Sequence, residues 1–321
     1  MISATIGPAN HNPFNIFAVQ LKTEFILQKQ SVHNLQNWIL IILLTLIWGT
    51  SYILIKKGLT GFSWLELGCL RIGISCLVAM PFAIKALGSL PGRKFPILFI
   101  VALFGTGLPA FLFPLSMTKS ESSINGILNS LSPLWTVIIG YYFFKVDIST
   151  RKVIGVVIGF FGALVLVLGK GGELRVDILY ATLPVLATFC YGMSSNITKQ
   201  KLQHDNPIYT TSLAMCMIGI PALIGLGFTQ APAKIIAGEV WWPLAAVATL
   251  ALFGTLVAWI LFYRLVQRTD ALFASSVTYL VPIVAISWGL LDNEVLNLVQ
   301  LGGMLLILVG VYYTTKADKA A

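Results

Sequence analysis

This sequence is short of charge. Asp, Glu, Lys and Arg make up 10% of its 321 residues against 57% hydrophobic, and mean hydropathy is +0.87. A soluble domain of this size needs far more charged surface, so the chain reads as a membrane protein. Histidine is scarcer still: His11, His33 and His204 fall in a tail and one loop. That leaves no cluster of His, Asp or Glu at one membrane depth, which argues against a polytopic membrane enzyme. The four cysteines, Cys69, Cys76, Cys190 and Cys216, all fall in apolar stretches, where a thiol packs as a small polarizable hydrophobe, and neither a disulfide nor a metal site is read from them. No cofactor is implied either, because "GKGGE" at 169–173 has the wrong spacing for a phosphate loop and no following Ser or Thr. All twelve acidic residues sit in tails, loops or span ends, Glu66 coming nearest to the interior. A proton relay through a buried carboxylate therefore has little support.

What the chain has in quantity is apolar run. Ten stretches, near 38–58, 63–84, 96–116, 122–144, 151–169, 178–198, 208–228, 241–262, 271–291 and 296–314, are apolar throughout, and each approaches the length needed to cross about 30 Å of hydrocarbon. They predict helices, since lipid cannot satisfy an open backbone and the runs do not alternate as barrel strands do. The fold class expected is an all-α polytopic membrane protein with ten transmembrane helices, spans 1 to 10. The net charge of +9 does not point to nucleic acid, because its distribution has a topological reading. Of 21 Lys and Arg, six (Lys56, Lys57, Lys119, Lys170, Arg175 and Lys234) fall on one side, fourteen on the other, and Arg71 inside a span. The positive-inside bias puts the richer side, and both termini, in the cytoplasm. Residues 1–36 lack the charged-then-apolar order of a signal peptide and are expected to form a polar, disordered tail.

The runs repeat. Residues 48–56 read "WGTSYILIK" and residues 191–199 read "YGMSSNITK"; "LFGT" occurs at 103–106 and again at 252–255. From there the halves align without a gap to residue 145, with Lys119 on Arg268, Glu121 on Asp270 and Pro133 on Pro282. After one adjustment, Gly155 and Gly162 meet Gly303 and Gly310. Two five-helix repeats result, residues 37–170 and 177–315, with a connector at 171–176 and a tail at 316–321. Five is odd, so the second repeat starts from the opposite face and the two are inverted. Such halves provide two nearly equivalent packings around a midplane site, an arrangement of transporters.

The aromatic-Gly starts and terminal Lys of spans 1 and 6, Arg71 in span 2, Pro133 and Pro282, and the Gly-spaced spans 5 and 10 together resemble the EamA-type transporters of the drug/metabolite transporter superfamily, over essentially all of residues 37–315. The resemblance implies a ten-helix secondary carrier of the bacterial plasma membrane, often an exporter of amino acids or other metabolites, with a cavity lined by spans 1, 3, 4, 6, 8 and 9. One departure is visible: the family commonly ends the fourth helix of each repeat with Glu, and here Glu294 does so but Lys145 stands in the first copy. Lys145 is on the inner face, so the swap agrees with topology.

The residues expected to meet a substrate follow from polarity within spans. Arg71 costs at least about 2.5 kcal/mol unless compensated. It either bonds helix-end carbonyls and snorkels outward, or serves as a counter-charge for an anionic or carboxylate-bearing substrate. Ser122, Asn125, Asn129, Ser132 and Thr136 share one face of span 4; Asn125 and Asn129 are candidates for the cavity, interhelical hydrogen bonding being the rival. Pro133 and Pro282, candidate kinks, each lack an N–H and release the carbonyls of Asn129 and Thr278. Trp48, Tyr52, Tyr191, Trp259, Tyr263 and Tyr279 lie deep rather than at the interfaces, with Thr255 and Ser195 beside them. They either line the cavity or simply pack. "GVVIGFFG" at 155–162 predicts close helix approach, within the fold or at a homodimer contact. The partners expected are the bilayer and a small neutral or zwitterionic solute. A signalling or scaffold protein without flux is a third class, in which inverted repeats would have little purpose.

Overall fold

The computed structural model describes residues 13–120, 122–168, 177–291 and 298–315. Glu121, Lys170, the connector 171–176, Glu294 and the tail 316–321 lie outside the described residues. Every regular element among the described residues is helical. The first repeat carries α1 (Pro13–Gly58), α2 (Trp64–Leu87), α3 (Phe95–Ala102), α4 (Pro109–Met117), α5 (Ser122–Asn129), α6 (Ser132–Phe144) and α7 (Thr150–Leu168). The second carries α8 (Ile178–Lys201), α9 (Pro207–Leu226), a short α10 (Ala231–Ile236), α11 (Trp241–Ala251), α12 (Ala258–Arg268), α13 (Ala271–Ser275), α14 (Val277–Leu291) and α15 (Leu298–Thr315).

Among the described residues, five stretches are long and apolar enough to cross a membrane: Leu35–Gly58, Trp64–Leu87, Gly92–Met117, Pro207–Leu226 and Trp241–Arg268. Ser132–Phe144, Ala271–Val284 and Leu301–Thr314 are shorter apolar helices. Where starts are sharp, side chains cap them. Ser63 and Glu66 form a reciprocal capping box on α2, while Asp177 and Asn206 accept from the first N–H groups of α8 and α9. The tail expected over residues 13–36 is corrected to helix, since α1 begins at Pro13. Proline at the first turn followed by no further Pro or Gly until Gly49 gives that stretch a start signal and no stop.

Among the described residues two π-helical turns occur, Leu103–Gly107 between α3 and α4 and Leu252–Val257 between α11 and α12. Both fall on the repeated Leu-Phe-Gly-Thr. The helical stretches over 122–144 and 271–291 are interrupted. The first break, at Ser130 and Leu131, directly precedes Pro133, whose missing N–H leaves the preceding turn unsupported. The second falls at Ser276, while α14 runs on through Pro282. There the hydroxyls of Ser275, Ser276 and Thr278 take up the carbonyls of Leu272, Phe273 and Ser275. Back-bonding of this kind competes with the helix ladder at the break, and Pro282 itself lies inside α14.

The repeats pair reciprocally. α2 lies along α9 and α7 along α15, while α1 packs on α14 and α8 on α6. Glycine makes the closest crossings possible: a Cβ at Gly310 would stand 2.5 Å from the Cα of Gly159, and one at Gly162 would stand 2.6 Å from the backbone N of Ile307. The small-residue motif of α7 is therefore used inside the fold, against α15. Ion pairs Lys94–Asp205 (2.5 Å), Lys152–Asp270 (3.3 Å) and Lys234–Glu66 (2.9 Å) each join one repeat to the other.

Candidate functional site

A partly open cavity, about 650 Å³ with its mouth included, lies between the two repeats. α1 contributes Trp48, Ser51, Tyr52 and Ile55, one helical face at steps of three and four. α8, which opens the second repeat, contributes Tyr191 and Ser195 at the positions matching Trp48 and Tyr52. Arg71 enters from α2, Phe113 from α4, Trp259 and Phe262 from α12. The interrupted spans supply Asn129 with Ser132, and Ser275 with Thr278.

Six rings run in unbroken contact along the wall. Phe262 meets Trp48 at 5.3 Å between centroids, Trp48 meets Trp259 at 5.9 Å, and Trp259 meets Tyr191 at 5.8 Å. Phe113 stacks on Tyr191 at 6.1 Å and meets Tyr52 edge-on at 6.2 Å. Such a surface presents π faces and edges and suits apolar groups and cations alike.

The polar part of the lining has a definite sense. The hydroxyls of Ser51, Ser132, Ser195, Ser275 and Thr278 donate to the carbonyls of Ile47, Asn129, Tyr191, Leu272 and Ser275. Their protons are committed to backbone, so what they turn outward is acceptor oxygen. The Asn129 carbonyl that Pro133 releases is thus satisfied by Ser132 at 2.9 Å, and not held open for a ligand. The Asn129 side chain differs: its Oδ1 is buried and accepts from no group among the described residues.

Arg71 is the single formal charge among the described lining residues. It is 7% exposed. Its Nε donates to Thr255 Oγ1 at 2.6 Å and its Nη2 to the Gly254 carbonyl at 3.4 Å. The same carbonyl accepts from Trp48 Nε1 at 3.3 Å. Both acceptors belong to the π turn Leu252–Val257 of the opposite repeat, where the i→i−4 ladder is interrupted. Among the described residues no carboxylate pairs with it.

Of the residues singled out in the sequence, Trp48, Tyr52, Arg71, Asn129, Tyr191, Ser195, Trp259 and Thr278 are brought together here. Thr255 stands one layer behind, as the acceptor of Arg71. Asn125 is buried on α5, away from the lining. Tyr263 is buried against Trp259, 5.4 Å between centroids, and Tyr279 reaches α7, donating to the Val156 carbonyl at 2.8 Å. Those three pack rather than line. Lys145 is exposed at the C-terminal cap of α6, in the left-handed region with φ 54°, remote from the cavity's lining. Ser51, Ile55, Phe113, Phe262 and Ser275 were missed. Ser51 and Ile55 follow from Trp48 by helical spacing, and Phe262 follows Trp259 by the same rule; Phe113 carries no such signal.

The EamA-like transporter family model matches this chain twice, over residues 37–168 and 178–316. A protein of Archaeoglobus fulgidus described as "Uncharacterized transporter" is 24% identical over 284 residues, covering 88% of this chain and 99% of that one. A protein of Escherichia coli K12 named "Probable amino-acid metabolite efflux pump" is 25% identical over 290 residues, covering 86% and 94%. A solved crystal structure superposes with a TM-score of 0.66 at 15% identity, covering 86% of this chain and 95% of that one, a likeness of fold.

Proposed function

Because the chain belongs to the EamA-like transporter family and is a multi-pass membrane transporter, we propose that it moves small neutral or zwitterionic metabolites, such as amino acids or related compounds, out of the cell. The observation that carries this reading is the cavity itself: both repeats contribute to its walls, and its lining is aromatic and hydroxylic with one charge. Two five-helix halves of opposite orientation, ten spans in all, rock about that site and expose it to each face in turn. The plasma membrane is the location, with both termini cytoplasmic. The relative in E. coli carries the name "Probable amino-acid metabolite efflux pump", which favours outward flux.

The test is counterflow with the purified full chain in proteoliposomes, preloaded with a panel of amino acids and related metabolites. At least one solute should exchange saturably, above empty vesicles. Absence of saturable exchange across the panel overturns the reading. Neutralisation of Glu66 or Glu294 separately, by Gln, should leave counterflow intact; abolition by either would show that flux depends on an outer-end carboxylate.

A further inference from the structure

Resting on the transport reading above, we infer that Arg71 is the residue that docks a substrate carboxylate, and that Thr255 of the opposite repeat is the positioning residue that aims it. A guanidinium carries five N–H donors in a planar fork. Nε and Nη2 form its side edge, and that edge is taken up by Thr255 Oγ1 and the Gly254 carbonyl. The end edge, Nη1 with the second N–H of Nη2, has no protein acceptor among the described residues, and Arg71 lines the cavity. Two parallel N–H groups on a buried guanidinium are the complement of a carboxylate, which they bind bidentately. An isolated cation at this depth is costly, and nothing among the described residues neutralises it. A substrate anion would.

The rest of the lining makes the selection two-sided. Acceptor oxygens of Ser51, Ser132, Ser195, Ser275 and Thr278, the unpartnered Oδ1 of Asn129 and six aromatic rings would receive an ammonium group. They offer no second cation for a dianion. The class selected is therefore a monocarboxylate that also carries a protonated amine, and an amine or amide that lacks the carboxylate is refused. Because Thr255 and Gly254 belong to the second repeat and Arg71 to the first, the docking group is itself held across the interface that must move.

The experiment is counterflow in proteoliposomes of the full chain, loaded with an equimolar pool of amino acids, their α-amides and the corresponding decarboxylated amines, read by mass spectrometry. Wild type should exchange acids and discriminate against the matched amides and amines by about tenfold or more, the loss expected when buried donors are left unpaired. Arg71→Gln should lose that discrimination and most acid flux, with Arg71→Lys retaining part of it. Should Arg71→Gln fail to fold, Thr255→Val decides: it keeps the charge, and KM for acids should rise several-fold at similar maximal rate, with Thr255→Ser restoring it. Equal exchange of acids, amides and amines, or an unaltered KM in Thr255→Val, overturns the inference while transport stands. No exchange of any pool member or of the wider panel overturns the transport reading and this inference with it.

Discussion

The π turns at Leu103–Gly107 and Leu252–Val257 carry the same Leu-Phe-Gly-Thr and hold different things. What they share is packing. A Cβ at Gly254 would stand 2.8 Å from Ser51 Oγ, and one at Gly105 would stand 2.6 Å from Ser194 Oγ. Ser51 and Ser194 are the matching serines of "WGTS" and "YGMS", so the first helix of each repeat presses its serine on the bulge glycine of the other. What they do not share is charge. Thr255 and Gly254 hold Arg71, whereas Thr106, the counterpart of Thr255, is 2% exposed and its hydroxyl meets no partner among the described residues. The stretch aligned with "RIGI" at 71–74 reads "MIGI" at 217–220, so the second copy has methionine where the first has Arg71. Duplication preserved backbone and glycine contacts, and the chemistry resides where the copies diverge.

If that division is right, paired changes at shared features should act equally and paired changes at divergent ones should not. The largest shared effect is expected at the α7–α15 crossing. Gly162→Ala and Gly310→Ala each place a methyl against backbone, and each should cost about 3 kcal/mol in unfolding of the purified protein in mixed micelles. A cost confined to one of the two would break that symmetry. Next comes the divergent pair. Thr255→Val leaves the buried Arg71 Nε without its acceptor and should cost about 2 kcal/mol. Thr106→Val loses no hydrogen bond among the described residues and should fall within about 0.5 kcal/mol of wild type. Comparable costs would mean that the first bulge has a ligand of its own.

A smaller and again symmetric effect is expected at the bulge glycines. Gly105→Ala and Gly254→Ala meet serine hydroxyls, which can turn aside, so each should cost about 1 kcal/mol. Combination with Ser194→Ala or Ser51→Ala removes the obstructing oxygen and should recover part of that loss. Additive costs in the double-mutant cycle would rule out direct contact as the origin.

The sequence made the membrane class and the repeats legible because both are statements about periodicity and composition. Eight of the candidate cavity residues were legible for a related reason: a polar or aromatic side chain deep in an apolar run needs a wall to face. Depth alone could not separate Trp259 from Tyr263, which sit one helical turn apart, or predict that Tyr279 would reach the Val156 carbonyl. Those outcomes depend on which neighbour lies behind the helix. Arg71 was legible as an anomaly, but its partners were not, because Gly254 and Thr255 are 183 and 184 residues distant. The break at Ser276 carried no proline-like signal: it falls in a hydroxyl-rich run at 275–278, where side chains bond back to the preceding turn.

The weakest contrast lies at Asp270, whose repeat counterpart Glu121 falls outside the described residues. Asp270 does two jobs: Oδ1 caps α13 by accepting from the N–H of Phe273 at 2.7 Å, and Oδ2 pairs with Lys152 of the other repeat at 3.3 Å. Asn keeps the cap and removes the charge, since the two are equivalent at a helix start. Asp270→Asn should therefore cost less than about 1 kcal/mol, the range of a half-exposed pair, and the cost should fade in high salt. Asp270→Ala loses the cap as well and should cost about 1 kcal/mol more, with the added part insensitive to salt. A salt-insensitive loss in Asp270→Asn would assign the whole effect to the cap and leave the Lys152 pair without a share in holding the repeats together.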